Sequence, residues 1–165
     1  MMSGKLQQEI GKQRPFETLE QEAYLNVIRT ADVLLRDTGE VLKPAGLSTV
    51  QYNVLRILRG MKCTGGPSTG LACREVAERM ITRDPDMTRL LDRLEKRGLI
   101  SRSREEKDRR VVRTCITQAG LELLASLDDA VLTSHKNQLH HLGDERLKQL
   151  IELLEDARQL PEKTE

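Results

Sequence analysis

The sequence predicts a mainly α-helical fold with a small β-hairpin wing, a winged helix-turn-helix set between long N- and C-terminal helices. Three observations carry that expectation. The 165-residue chain has only three aromatic residues (Phe16, Tyr24, Tyr52) and no Trp. Its core must therefore be built from Leu, Val, Ile and Ala, which suits packed helices better than a β-sandwich or barrel. Apolar residues recur at three- and four-residue steps over most of the length, and only between Leu99 and Ile116 does the period switch to two.

Residues 1–16 have no apolar period and contain Pro15, so they read as a loose arm. Thr18 and Gln21 then form a capping box, and Tyr24, Val27, Ile28, Ala31, Leu34, Leu35, Val41 and Leu42 line one face of a long helix stopped by Pro44 and Gly46. Ser48 and Gln51 open a second helix carrying Val50, Val54, Leu55 and Leu58, with Gly60 as its expected end. The run MKCTGGPSTG is a loop by composition. After it come a short extended step and a compact helix with Val76, Ala77 and Met80 inward, then the break ITRDPD, where Asp84 and Pro85 suit a helix start. Residues 86–97 place Met87, Leu90, Leu91 and Leu94 on one side until Gly98, which makes the two short helices and a tight turn a helix-turn-helix. Leu99 to Arg104 and Val111 to Ile116 form the hairpin. Thr117 caps a helix with Leu121, Leu124, Leu127, Val131 and Leu139, and a last helix carries Leu147, Leu150, Ile151, Leu154 and Ala157.

Several function classes fall away. No apolar run approaches the ~18 residues of a membrane span, and the polar start lacks the apolar stretch of a signal peptide, so the chain is expected to be cytoplasmic. Cys63, Cys73 and Cys115 are odd in number with no CxxC spacing, which argues against a disulfide framework. Cys63 and Cys73 bracket the Gly-rich loop, so a cysteine-based redox sensor stays open as an alternative. His135, His140 and His141 lack a fourth donor for zinc. With no phosphate loop, nucleophile elbow or paired carboxylates beside a base, an enzyme is not expected, and no metal or cofactor is implied.

Charge is informative only by position. Lys plus Arg number 27 against 26 Asp plus Glu, a net charge of +1, too little to attract a polyanion at long range. From Arg83 to Arg113, however, eleven basic residues stand against seven acidic, while residues 144–165 hold four basic and seven acidic. The excess sits where a winged helix-turn-helix meets DNA. With the Leu row inward, Asp86, Arg89 and Arg93 share the outer face and Arg83 precedes the helix, so arginines there suit guanine edges and Thr88 a phosphate or thymine methyl. A charged helix face is also common on solvated helices, with Asp92 and Lys96 available as an ion pair. The hairpin tip weighs against that plain explanation. Asp108, Arg109 and Arg110 put two guanidinium groups at the end of a lever suited to the narrow minor groove, with Asp108 able to fix a neighbouring fork.

The runs LSTVQYNVL, LACREVAERM and DMTRLLDRLEKRGLISRSREEKDRRVVRTCITQAG resemble the MarR family of winged helix-turn-helix regulators over roughly residues 47 to 120. The resemblance implies a homodimeric transcriptional repressor whose residues 17–45 and 118–160 are dimerisation helices and whose residues 46–117 are the DNA-binding domain. It implies that Arg83, Asp86, Thr88, Arg89 and Arg93 face double-stranded DNA at a palindromic operator, with Asp108 orienting an arginine, Arg110 entering the minor groove and Arg109 supporting it. It further implies release by a small aromatic effector, or by cysteine oxidation. Tyr24 and Tyr52 are the available stacking walls for such a ligand, and Arg56 and Arg59 the available partners for its carboxylate. The competing class is a helical dimeric adaptor that binds a protein partner.

Overall fold

The computed structural model describes residues 5–63, 70–104 and 111–159, apart from the side chains of residues 62 and 63. Helix α1 (Lys5–Glu9) is a single turn within the stretch expected to be loose, and it is ordered by Leu6, which is 3% exposed. Helix α2 (Leu19–Leu42) begins at Thr18, whose Oγ1 accepts from the Gln21 N–H at 3.2 Å, while the Gln21 side chain accepts from the Glu17 N–H. A 3₁₀ turn (Lys43–Ala45) and Gly46 then turn the chain into α3 (Thr49–Cys63). There the capping box is fully reciprocal: Ser48 Oγ accepts from the Gln51 N–H at 3.2 Å, and Gln51 Oε1 accepts from the Ser48 N–H at 3.0 Å. Gly60 does not end α3. It has a helical backbone, and tertiary packing of Val54, Leu55 and Leu58 carries the helix through it.

Strand β1 (Leu71–Ala72) leads directly into α4 (Cys73–Glu78). Ala72 precedes α4 and has no capping side chain, so Glu75 serves instead, accepting from the Ala72 N–H at 2.7 Å. Val76 is fully buried and Met80 packs on the core, but Ala77, expected inward, is exposed. The link from α4 to α5 (Met87–Lys96) spans residues 79–86, longer than the tight turn expected. Pro85 has no N–H to give, and Asp84 closes a local turn by accepting from the Asp86 N–H at 2.7 Å. Asp86, not Asp84, is therefore the N-cap of α5.

Met87, Leu90, Leu91 and Leu94 are all buried, as their spacing requires. At the other end Gly98 takes φ 70°, the Gly98 N–H reaches Glu95 O at 2.8 Å and the Leu99 N–H reaches Leu94 O at 3.1 Å. That double closure needs the left-handed conformation only glycine adopts freely. Strands β2 (Ile100–Arg104) and β3 (Val112–Ile116) pair antiparallel with Ile100 opposite Ile116, and β1 adds to the far side of β3, giving the order β1-β3-β2. The third strand was legible only as a short extended step.

Helix α6 (Gln118–Leu139) starts from Thr117, whose Oγ1 accepts from the Gly120 N–H at 3.1 Å. Leu124, Leu127 and Val131 join the core, which gathers Leu42, Val54, Leu55, Leu58, Val76, Leu91, Leu94, Ile100 and Ile116 beneath the sheet and α5. A 3₁₀ turn (His140–Leu142) leads to α7 (Gly143–Arg158), which buries nothing fully. Among the described residues no helix is long and apolar enough to cross a membrane.

Candidate nucleic-acid interface

Helix α5 is locked on every side except one. Its Leu row is in the core. Just past its C-terminus Arg97 donates Nη1 to Gly46 O at 2.6 Å and Nη2 to Ala45 O at 2.8 Å, tying it to the corner between α2 and α3. Its flank is tied to the hairpin by Arg102, whose Nη2 donates to Asp92 Oδ1 at 2.6 Å and whose Nε donates to Glu95 Oε2 at 2.9 Å. The Arg102 hydrogen bond holds the Glu95 carboxyl below its ordinary range, and Glu95 in turn holds the Arg102 guanidinium more firmly protonated. The anticipated pair between Asp92 and Lys96 is thus replaced, because a planar fork on a neighbouring strand outcompetes a flexible ammonium on the same helix.

What remains open is the outer face. Thr88, Arg89, Arg93 and Lys96 are exposed, with Arg83 exposed just before the helix. Arg89 Nε stands 3.2 Å from Asp86 Oδ2, so Asp86 serves both as cap and as partner to Arg89. Among the described residues the side chains of Arg83, Arg93, Lys96 and Arg104 have no hydrogen-bond or ion-pair partner. Lys96 and Arg104 were not among the candidates. Their signal was present in the register, since Lys96 continues the outer row from Arg89 and Arg93 and Arg104 is the exposed end of β2. Three arginines counted in the basic excess have structural partners instead: Arg97, Arg102, and Arg113, which reaches Glu75 Oε2 at 2.6 Å. Asp108, Arg109 and Arg110 lie outside the described residues.

The four residues considered for a ligand are placed apart in role. Tyr24 is 65% exposed on α2, whereas Tyr52 is 8% exposed and accepts from Arg56 Nη1 at 3.1 Å. Arg59 forms a two-point pair with Asp128 of α6 at 2.7 and 2.8 Å, which pulls the Asp128 carboxyl below its ordinary range. A separate open groove of about 710 Å³ between α2 and α6 is lined by Asp37, Val41, Asp129, Thr133, Asn137 and their neighbours, and by none of those four. Cys73 opens α4 and Cys115 lies in β3, both as half-buried free thiols, and the Cys63 side chain is outside those described.

A helix fixed by its buried row, its cap and two arginine forks, beside a three-stranded wing, defines a winged helix-turn-helix protein. Residues 47–112 match the MarR family model. The MarR transcription factor from Planctomyces limnophilus is 42% identical, with 85% of this chain and 98% of that chain covered and a TM-score of 0.64. This chain therefore belongs to the MarR family, whose members are transcription regulators and not enzymes. The same fold recurs at lower identity in Sco3205 from Streptomyces coelicolor, solved in complex with DNA (24%, 86% and 91% covered, TM-score 0.73). It recurs also in Bordetella bronchiseptica BpsR, whose DNA binding is regulated by 6-hydroxynicotinic acid (18%, 90% and 100% covered, TM-score 0.74).

Proposed function

We propose that this regulator acts in the cytoplasm as a homodimeric repressor that reads a palindromic operator, each subunit laying α5 in a major groove and its hairpin tip in the adjoining minor groove. The observation that carries the reading is the outer face of α5, where Arg93 and Lys96, with Arg83 just before the helix, have no partner among the described residues while the helix is otherwise fixed in place. Thr88 and Arg89 share that face, and Arg109 and Arg110, with Asp108 beside them, supply the minor-groove element. A second subunit is supported by α2, where Tyr24, Val27, Ile28, Ala31 and Leu35 form an uncovered apolar stripe along one face, and by Ile151 and Leu153 of α7, which are also exposed. A stripe of that length at helical spacing suits a partner helix better than water. Regulation of BpsR by 6-hydroxynicotinic acid supports a small aromatic acid as effector, acting by favouring a spacing of the two α5 helices that no longer matches successive major grooves.

The test is selection from a random duplex pool with the purified full chain. The expected product is a palindrome with half-sites one helical turn apart, about 34–36 Å. On that duplex, Arg93→Ala and Arg110→Ala should each weaken binding, and loss of a phosphate contact should lower the slope of log affinity against log salt by about 0.9. If no duplex is retarded at low salt, the DNA reading fails and the protein-binding adaptor takes its place.

A further inference from the structure

One side chain joins the wing to the reading helix. Strand alternation sends Ile100 into the core, and Arg102, two residues on, leans along the same face toward α5. Its Nη2 donates to Asp92 Oδ1 at 2.6 Å and to Glu95 Oε2 at 2.5 Å, and its Nε donates to the same Glu95 oxygen at 2.9 Å. The Arg102 side chain is 23% exposed, against 42% and 38% for the two carboxylates. Asp92 and Glu95, three residues apart, occupy the flank of α5 between the buried Leu row and the outer row of Arg89, Arg93 and Lys96. On a helix surface Asp92 is within reach of Arg89 three residues before it and of Lys96 four residues after it. Left alone, Asp92 would pair with those cations of the outer face, and both carboxylates would repel phosphate. The guanidinium turns both toward the sheet.

We propose that Arg102 is a positioning residue for DNA recognition: its fork fixes the wing to α5 as one rigid unit and holds Asp92 and Glu95 away from the reading face. Arg102 itself touches no DNA. The inference rests on the DNA-binding reading above, and it separates the basic residues of this segment into those that meet the nucleic acid and those that arrange them. Partial burial favours the arrangement, because a charge-assisted, two-carboxylate fork shielded from water is stronger than an exposed pair.

The experiment is a double-mutant cycle read as affinity for the duplex that the wild-type chain selects from a random pool. Arg102→Gln should lose about tenfold in the wild-type background but less than about twofold when combined with Asp92→Asn and Glu95→Gln, a coupling expected of groups in one network. A direct phosphate contact would instead lose equally in both backgrounds and lower the salt slope by about 0.9. Equal loss, or no loss in the wild-type background, overturns the proposal. Arg102→Lys keeps the charge without the planar fork and should lose about threefold. It carries the test if Arg102→Gln fails to fold by circular dichroism, and unchanged affinity in it is equally fatal. If wild type selects no duplex, the DNA reading falls and this role falls with it, an outcome distinct from tight wild-type binding indifferent to Arg102.

Discussion

Substituting Gly120 by Ala probes how tightly the wing hairpin meets α6. Gly120 lies in the first turn of α6, and a Cβ there would stand 2.3 Å from the Leu99 carbonyl oxygen and 2.8 Å from Ile116 Cγ1. In an open helix the change would stabilise by up to about 1 kcal/mol. Here the obstacle is backbone and cannot rotate aside, so the start of α6 must retreat. Retreat stretches the bond from the Thr117 N–H to Leu99 O (3.1 Å) and that from Thr117 Oγ1 to Gly98 O (2.6 Å), each worth about 1 kcal/mol. Crowding Ile116 adds about 1–3 kcal/mol. The losses outweigh the helical gain by about 2–4 kcal/mol, which for a chain of this size lowers Tm by roughly 5–15 °C. Urea unfolding followed by circular dichroism at one protein concentration measures it, since the stability of an oligomer depends on concentration. Gly60→Ala is the control: it lies inside α3 with nothing within 4 Å of its Cβ, and should stabilise by about 0.5–1 kcal/mol. A Gly120→Ala chain as stable as wild type would refute the close meeting of hairpin and α6.

Two further outcomes follow from the charged and apolar features outside the interface. Ile28→Glu puts a carboxylate into the α2 stripe at a residue 49% exposed in the single chain; sedimentation should show a shift from dimer to monomer at micromolar concentration, and an unchanged dimer would remove α2 from the interface. Asp128 is held below its ordinary value of 3.8 chiefly by its hydrogen bonds from Arg59, so its folded pKa is depressed. The stabilisation is fully present above the unfolded value and is lost as pH falls through the lower folded value. Asp128→Asn should therefore cost about 0.5–1 kcal/mol at neutral pH, discounted because the Asp128 side chain is 41% exposed, and that difference should shrink as pH falls below the ordinary value of 3.8. A pH-independent difference would mean that packing, not charge, holds α3 to α6.

Much of the interface was legible because it depends on local rules. The row Met87, Leu90, Leu91 and Leu94 reads as one helix face from spacing alone, and the outward direction of Thr88, Arg89 and Arg93 follows from it. The partners of those charges were not legible. Asp92 was matched to Lys96 on the same helix, whereas the structure gives it Arg102, ten residues away and on a strand. The start of α5 shifted from Asp84 to Asp86 for a similar reason: both aspartates suit a cap, and only the closed turn at Pro85 selects between them.

By itself, then, the sequence determined the order and type of the helices from α2 to α7 and of the wing hairpin, the buried row of α5 and the caps at Thr18, Ser48 and Thr117, because helix period, strand alternation and capping act over three or four residues. The tertiary structure alone decided which arginines are engaged by protein and which are open to a partner, since Arg97 meets carbonyls 51 and 52 residues away and Arg113 a carboxylate 38 residues away. It also decided that the apolar stripe of α2 stays uncovered within one chain. Periodicity marks a face as apolar, but only the packed fold shows whether anything in the same molecule covers it.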